Sequence, residues 1–393
     1  MTEPASSPKP STGPNSLVLK LFVFTAIVFL GYGALGLPLA TLPGQIHEAL
    51  GYGTPIVGLA VALQSVATLL TRPLAGVLCD TRGGKISILI GTGCFALSGL
   101  LYLASLAVAS PLLSLGVLLL GRAFAGPGES FIVTGALAWA IAALGVAHTG
   151  RVMVWVGIAM YGAVAVGAPL GLALHDAAGF GAVAAVTLLL PLIAAVLALL
   201  VTAVKAPGGL RLPFLQVIGL IWRQGTGLAL GAFGFGGIAP FIALYFNARG
   251  WSGAGLTLSA LAGAYVLARL VAGHLPDKLG GAKVARVSLA IEFVGLVVMG
   301  FATSPIHAMA GAFLAGAGFA LVFPSLGIIA VQRVPPASRG AALGGYVAFF
   351  DIGLMVAGPL AGILVAAWGY PAIFFASAIA AAVAMIFTRQ RGG

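Results

Sequence analysis

The sequence predicts an all-α membrane protein with twelve transmembrane helices in two pseudo-symmetric six-helix bundles. Three observations carry this reading. The composition is strongly apolar, long apolar runs recur with their flanking bases on one side, and the two halves of the chain repeat each other.

Of the 393 residues, 61% are hydrophobic and 7% are charged, and the mean hydropathy is +1.14. Soluble domains carry about 25% charged residues. Too few polar side chains remain here to cover a water-facing surface, so lipid is the natural solvent. The net charge of +11 raises nucleic acid as a partner. The bases nevertheless stand singly or in small groups between apolar runs, as membrane topology places them, and no nucleic-acid partner is expected. Cys79 and Cys94 have neither disulfide-framework nor zinc spacing and read as free thiols. The five histidines are scattered, so neither a metal site nor a cofactor is expected. No Gly-x-x-x-x-Gly-Lys-Ser/Thr segment exists to cradle a nucleotide phosphate, which excludes ATP-driven transport. No nucleophile–base set fits the topology either, so the chain reads as a non-enzyme.

A helix needs roughly 20 apolar residues to cross a bilayer. Twelve runs qualify, at 17–39, 54–78, 86–108, 112–144, 151–175, 181–203, 224–246, 253–275, 284–303, 306–331, 340–366 and 371–388. An even number leaves both termini on one side. Of the 19 bases, only Arg249 then falls on the opposite side, and Arg122 lies within a helix. The others sit in loops, tails or helix ends on the side of the termini, with Arg72 and Arg269 at helix ends. Lys and Arg concentrate in cytoplasmic loops, so both termini are expected in the cytoplasm of a bacterial inner membrane. The chain divides into a disordered tail at 1–16, bundles at 17–203 and 224–388, a linker at 204–223 marked by Pro207, Gly208, Gly209 and Pro213, and a tail at 389–393.

The halves repeat. Arg72, Ala75, Gly76, Leu78, Asp80, Gly83 and Gly84 match Arg269, Ala272, Gly273, Leu275, Asp277, Gly280 and Gly281 at a constant offset of 197. Gly126, Gly128 and Pro169 match Gly316, Gly318 and Pro359 at an offset of 190. Two correspondences in one order argue for duplicated halves, a mark of many transporter folds.

The loop Gly76-x-Leu78-x-Asp80-x-x-Gly83-Gly84-Lys85 resembles the signature between helices two and three of the major facilitator superfamily. Arg122 with Gly126 and Gly128 is similar to that family's fourth-helix motif. Gly157, Gly162, Gly167, Pro169 and Gly171 look like the Gly/Pro motif of its proton-coupled antiporters, although Ala168 separates Gly167 from Pro169. Gly128-Glu129-Ser130 with Trp139 and Phe350-Asp351 resembles the YhhS/YfcJ-type branch of bacterial drug or sugar efflux carriers. The resemblance covers nearly the whole chain after Asn15. It implies the major facilitator fold and alternating access by rocking of the halves around a mid-membrane site.

It also implies a gate on the side of the termini, formed by Arg72, Gly76, Asp80, Arg82, Gly83, Gly84 and Lys85 and by Arg269, Gly273 and Asp277. Asp80 would dock at the start of helix eleven, near Gly340, and Asp277 at the start of helix five, near Arg151. Helix N-termini offer free N–H groups and partial positive charge. Charge inside the bilayer is costly and faces a cavity or a partner. Glu129 and Asp351 therefore compete for the role of proton carrier, with Arg122 tuning the carboxyl or meeting an anion. Glu292, on a helix that is peripheral in this fold, reads as structural. Tyr32, Gln64, Trp139, Tyr161, Phe235, Tyr265, Phe323, Tyr346 and Phe350 are the expected cavity lining and favour an amphipathic substrate. Gly162, Gly167, Pro169, Gly358 and Pro359 are expected in flexible, close-packed seams between the halves. The expected activity is export of a drug-like amphiphile, sugar or metabolite in exchange for protons by a monomer. Proton-coupled uptake of a sugar or organic acid stays open, as does a facilitator.

Overall fold

The computed structural model describes residues 14–52, 54–206 and 208–388, and no strand occurs among them. The expectations for residues 1–13 and 389–393 lie outside the described residues. Twelve long helices account for the rest: α1 (Pro14–Leu39), α2 (Thr54–Arg82), α3 (Gly84–Leu106), α4 (Pro111–Leu144), α5 (149–178), α6 (180–200), α7 (Phe214–Ala248), α8 (Ala254–Ala272), α9 (Gly281–Gly300), α10 (Pro305–Gln332), α11 (Arg339–Trp368) and α12 (Pro371–Phe387).

Glycine and proline set the boundaries. Gly83 (φ 90°) turns the chain between α2 and α3, and its repeat partner Gly280 (φ 85°) turns it before α9. Both torsions lie where a side chain is strained. Between α5 and α6 helical hydrogen bonding runs on, but Gly179 (φ 75°, ψ 178°) reverses the chain. Pro38 and Pro43 end α1 and introduce a short helical turn at Leu42–Gly44. Pro213 caps α7, which begins at Phe214, ten residues before the expected start at 224. Arg223 lies inside that helix rather than ahead of it. Helix α10 breaks at Ala320 and Leu321. Pro324 has no N–H to give the carbonyl of Ala320, four residues earlier, so that oxygen is free for another donor.

Each half has its own buried core. One gathers Ile27, Phe95, Ile132 and Val156, the other Leu228, Leu289, Phe319 and Phe374. In lipid, helices associate through close packing rather than through expulsion of water, and small residues permit the approach. A Cβ on Gly126 of α4 would lie 2.6 Å from the Gln64 carbonyl oxygen and the Thr68 nitrogen of α2. A Cβ on Gly128 would lie 2.7 Å from the Phe95 ring.

The expected glycine seams are placed differently. Gly167 meets the Gly36 backbone of α1, within the first half, and Gly353 meets Ala229 of α7, within the second. Gly162 makes only ordinary contact with Phe29, and Gly358 has open space around it. Their period matches a neighbour in the same bundle. Close approaches between the halves include Gly76 against Gly340 and Ala341, where a Cβ would come within 2.7 Å of the Ala341 Cα.

Gly126→Val is expected to destabilise the protein by about 1–3 kcal/mol, because it forces α4 from α2. Thermal unfolding in detergent checks this. Gly93→Val, where a Cβ meets nothing within 4 Å, should leave Tm unchanged.

Candidate functional site

The two halves meet through four charged residues that the repeat relates. At the ends of α2 and α8, on the side of the termini, Asp80 accepts hydrogen bonds from the N–H groups of Gly340 (2.6 Å) and Ala341 (2.8 Å) at the start of α11. Asp277, just past α8, accepts from those of Gly150 and Arg151, both at 2.9 Å, at the start of α5. Each carboxylate supplies acceptors to otherwise unpaired N–H groups and negative charge to a positive helix end. Lys85, at the start of α3, donates to the carbonyls of Leu199 and Val201 at the end of α6. Arg82 is exposed at the end of α2. Trp139 packs here too, edge-on to Phe24 with centroids 5.0 Å apart and beside Gly84. It is therefore part of the packing on the side of the termini and not of the central cavity, because its position near the end of α4 puts it well past Glu129.

Arg269 lies in the last turn of α8, as expected, but Arg72 is not at a helix end. Arg72 precedes Asp80 by eight residues, about 12 Å along the helix, and its side chain is fully buried. Its Nε donates to Asp351 Oδ2 at 2.8 Å and its Nη2 to Oδ1 at 3.4 Å. Nη2 also lies 3.6 Å from Glu129 Oε1. The guanidinium of the first half is thus held between an acid of its own half and an acid of the other. The carboxylates keep 18% and 19% of their side-chain surface while Arg72 keeps none, so the acids, not the base, face the open space.

Glu129 is fixed by its own bundle. Tyr32 donates to Oε1 at 3.1 Å, and Gln64 and Thr68 donate to Oε2 at 3.1 and 3.2 Å. Tyr32 and Gln64, expected as general lining, serve this carboxylate. A cleft of about 340 Å³ between α2 and α11 reaches both acids past Ser65, Val66, Leu354 and Met355. On the side of the termini these same helices touch at Gly76 and Gly340.

Arg122 does not belong to this group. Seven residues separate it from Glu129, about 10 Å along α4. It is buried among backbone and its Nε donates to the Ala60 carbonyl at 3.3 Å. The base that the structure brings to the two acids is Arg72, not Arg122.

A second, smaller cavity adjoins the acids and is lined by Arg72, Tyr161, Tyr265, Arg269, Phe323 and Phe350, among others. Tyr161 of α5 meets Tyr265 of α8 edge-on, centroids 5.3 Å apart, so aromatic rings touch across the interface. Tyr346 is withdrawn from this lining. It is fully buried and donates to the Phe323 carbonyl at 2.7 Å, supporting the wall from behind. The Phe235 side chain lies outside the described residues. Glu292 is buried within the second bundle, near Gly234 of α7 and Gly318 of α10, apart from the other acids.

The comparisons agree with this architecture. The model of the Major Facilitator Superfamily matches residues 21–263 and 226–391. The chain is 43% identical over 392 residues to the MFS-type transporter YhhS of Escherichia coli (strain K12), spanning 99% of this chain and 96% of that one. It is 43% identical over 377 residues to an MFS-type transporter of Burkholderia mallei (strain SAVP1), spanning 96% and 92%. Among solved structures, the human organic anion transporter MFSD10 superposes with a TM-score of 0.79 at 16% identity, over 96% of this chain and all of that one. The Escherichia coli fucose:proton symporter FucP gives 0.79 at 15% identity, over 96% and 100%. A bacterial homologue of the iron transporter ferroportin in an outward-facing state gives 0.79 at 14% identity, over 95% and 98%. At these identities the structural likeness speaks for the fold, while the family match and the relatives speak for the kind of protein. The chain belongs to the major facilitator superfamily and is a multi-pass membrane transporter.

Proposed function

We propose that this transporter couples export of a small organic compound to entry of protons, with Asp351 and Glu129 as the proton-binding pair and Arg72 as their shared counter-ion. The observation that carries the reading is the bridge from Arg72 in the first half to Asp351 in the second. With the termini in the cytoplasm, as the distribution of bases favours, the paired aspartates hold the cytoplasmic side shut. Both acids then face the cleft leading to the outer side.

A proton arriving from outside neutralises Asp351 and removes Arg72's partner in the other half. Leaving one buried member of an ion pair alone costs about 3–5 kcal/mol. Moving a two-state equilibrium from 1:99 to 99:1 takes about 5.5 kcal/mol. Loss of the bridge is therefore large enough to bias the halves toward the opposite orientation. There the substrate displaces the proton and the cycle reverses. Asp80 and Asp277 act as latches: each must leave its helix end for the cytoplasmic side to open.

The latch role is tested with a native reporter. Cys79 is buried beside Asp80. In a Cys94→Ser background, Asp80→Asn should raise the rate of maleimide labelling at Cys79 several-fold, since a lost helix-end acceptor costs about 0.5–2 kcal/mol. Labelling no faster than in the parent would contradict the latch.

The coupling is tested in everted membrane vesicles energised by respiration, whose lumen is acid. A transported compound added outside should dissipate the gradient, read as dequenching of a pH-sensitive dye. Asp351→Asn should abolish that response while the compound still binds. Compounds that bind but never move protons would sink the exchange mechanism in favour of uptake by symport or facilitated diffusion.

A further inference from the structure

The two arginines of the cavity stand in equivalent places, yet only one has acids. Arg72 and Arg269 are repeat partners at the offset of 197. Arg72 Nη1 approaches the Ser130 carbonyl at 3.5 Å, and Arg269 Nε donates to the Ala320 carbonyl at 3.0 Å. Ser130 and Ala320 are themselves partners at the offset of 190. The same offset maps Glu129 onto Phe319 and Asp351 onto Tyr161. Where the first guanidinium meets two carboxylates, the corresponding positions around the second carry aromatic residues, and neither is an acid.

Arg269 is otherwise built in with care. It is 2% exposed. The Tyr265 ring lies 4.3 Å from its guanidinium carbon, a cation–π contact. Its Nη1 reaches the Val154 carbonyl at 3.5 Å. Gly157 leaves the space that the guanidinium occupies, for a Cβ there would collide with Nη1. Among the described residues no carboxylate lies within ion-pair distance of it, because both ion pairs belong to Arg72. A buried, positioned and uncompensated cation is costly unless an anion completes it.

The cavity is therefore dipolar. At one end two carboxylates share a single guanidinium, leaving a net negative charge. At the other a guanidinium stands alone, and the aromatic rings of Tyr161, Tyr265, Phe323 and Phe350 lie around the same cavity. Resting on the proton-coupled reading above, we infer that the substrate class is a small zwitterion, with its acidic group on Arg269 and its cationic nitrogen at Glu129 and Asp351. The cationic nitrogen competes with the proton for the same carboxylates, which is what exchange requires. The acidic group binds where no proton competes.

The test uses three probes with one apolar body: phenylalanine, its methyl ester and its N-acetyl derivative, which are zwitterion, cation and anion. Binding to purified full-length protein is measured by thermal stabilisation at fixed pH, without any gradient, so failure of proton coupling cannot mask the result. Phenylalanine should bind more tightly than either singly charged form. Arg269→Gln should lower its affinity about 10- to 100-fold, the worth of one charge-assisted hydrogen-bonded contact, and leave the methyl ester unaffected. Tyr161→Asp, which places a carboxylate at the counterpart of Asp351, should do the same with the charge balanced inside the protein. Arg269→Lys should retain part of the preference. Equal binding of the three forms, binding of the cation alone, or no binding of the zwitterion would overturn the inference. So would stabilisation that requires anionic lipid, because Arg269 also borders a cleft near Arg151 and His274.

Discussion

The whole arrangement depends on a buried guanidinium. Arg72 is cut off from water in the middle of a helix that crosses the membrane, and it cannot shed its charge. Its surroundings must supply negative charge, and here the supply comes from both halves of the molecule. That single requirement joins α2 to α4 within one bundle and to α11 in the other. It also puts two carboxylates at the foot of a cleft, where a proton on either alters the balance.

The remaining contacts between the halves follow the same economy of small residues and helix ends. Gly76 lets α2 lie against the first turn of α11, and Asp80 uses that closeness to accept two N–H bonds. The repeat delivers Asp277 to α5 in the same manner. Symmetry holds for the latches and is broken in the cavity, where Glu129 and Asp351 have the counterparts Phe319 and Tyr161. The division is physically sensible. Under the proposed exchange, latches close one side evenly, whereas a site that distinguishes proton from substrate needs unlike ends.

Much of the fold was legible in the sequence because lipid leaves few choices: backbone groups must be satisfied within the helix, so apolar runs become helices. The repeat and the spacing of the apolar runs supplied the two bundles. Helix starts were less legible. Residues 214–223 read as a linker but lie within α7, since a polar residue such as Arg223 near the interface does not end a helix. The two acids that meet at Arg72 were legible as charges inside the membrane, while the base between them was not. Arg122 was favoured over Arg72 because Arg72 precedes a loop motif and read as a helix-end residue. Its eight-residue distance from Asp80 was the signal that it lies deep. The contacts of Tyr32, Gln64 and Thr68 with Glu129 depend on how α1, α2 and α4 are rotated, which no spacing in one helix reveals. Trp139 and Tyr346 are aromatic residues within apolar helices like true lining residues, and only their place along the helix and their packing separate the two kinds.

The central claim is that protonation releases the Arg72–Asp351 bridge and lets the halves move. The most direct measurement is the distance between spin labels at Leu39 on α1 and Leu256 on α8, both exposed on the side away from the termini, recorded against pH. Lowering the pH should shift the wild-type distribution toward shorter distances as that side closes. Asp351→Asn should show the short distances at every pH. A distribution that ignores pH, or an Asp351→Asn protein that titrates as the wild type does, would contradict the account.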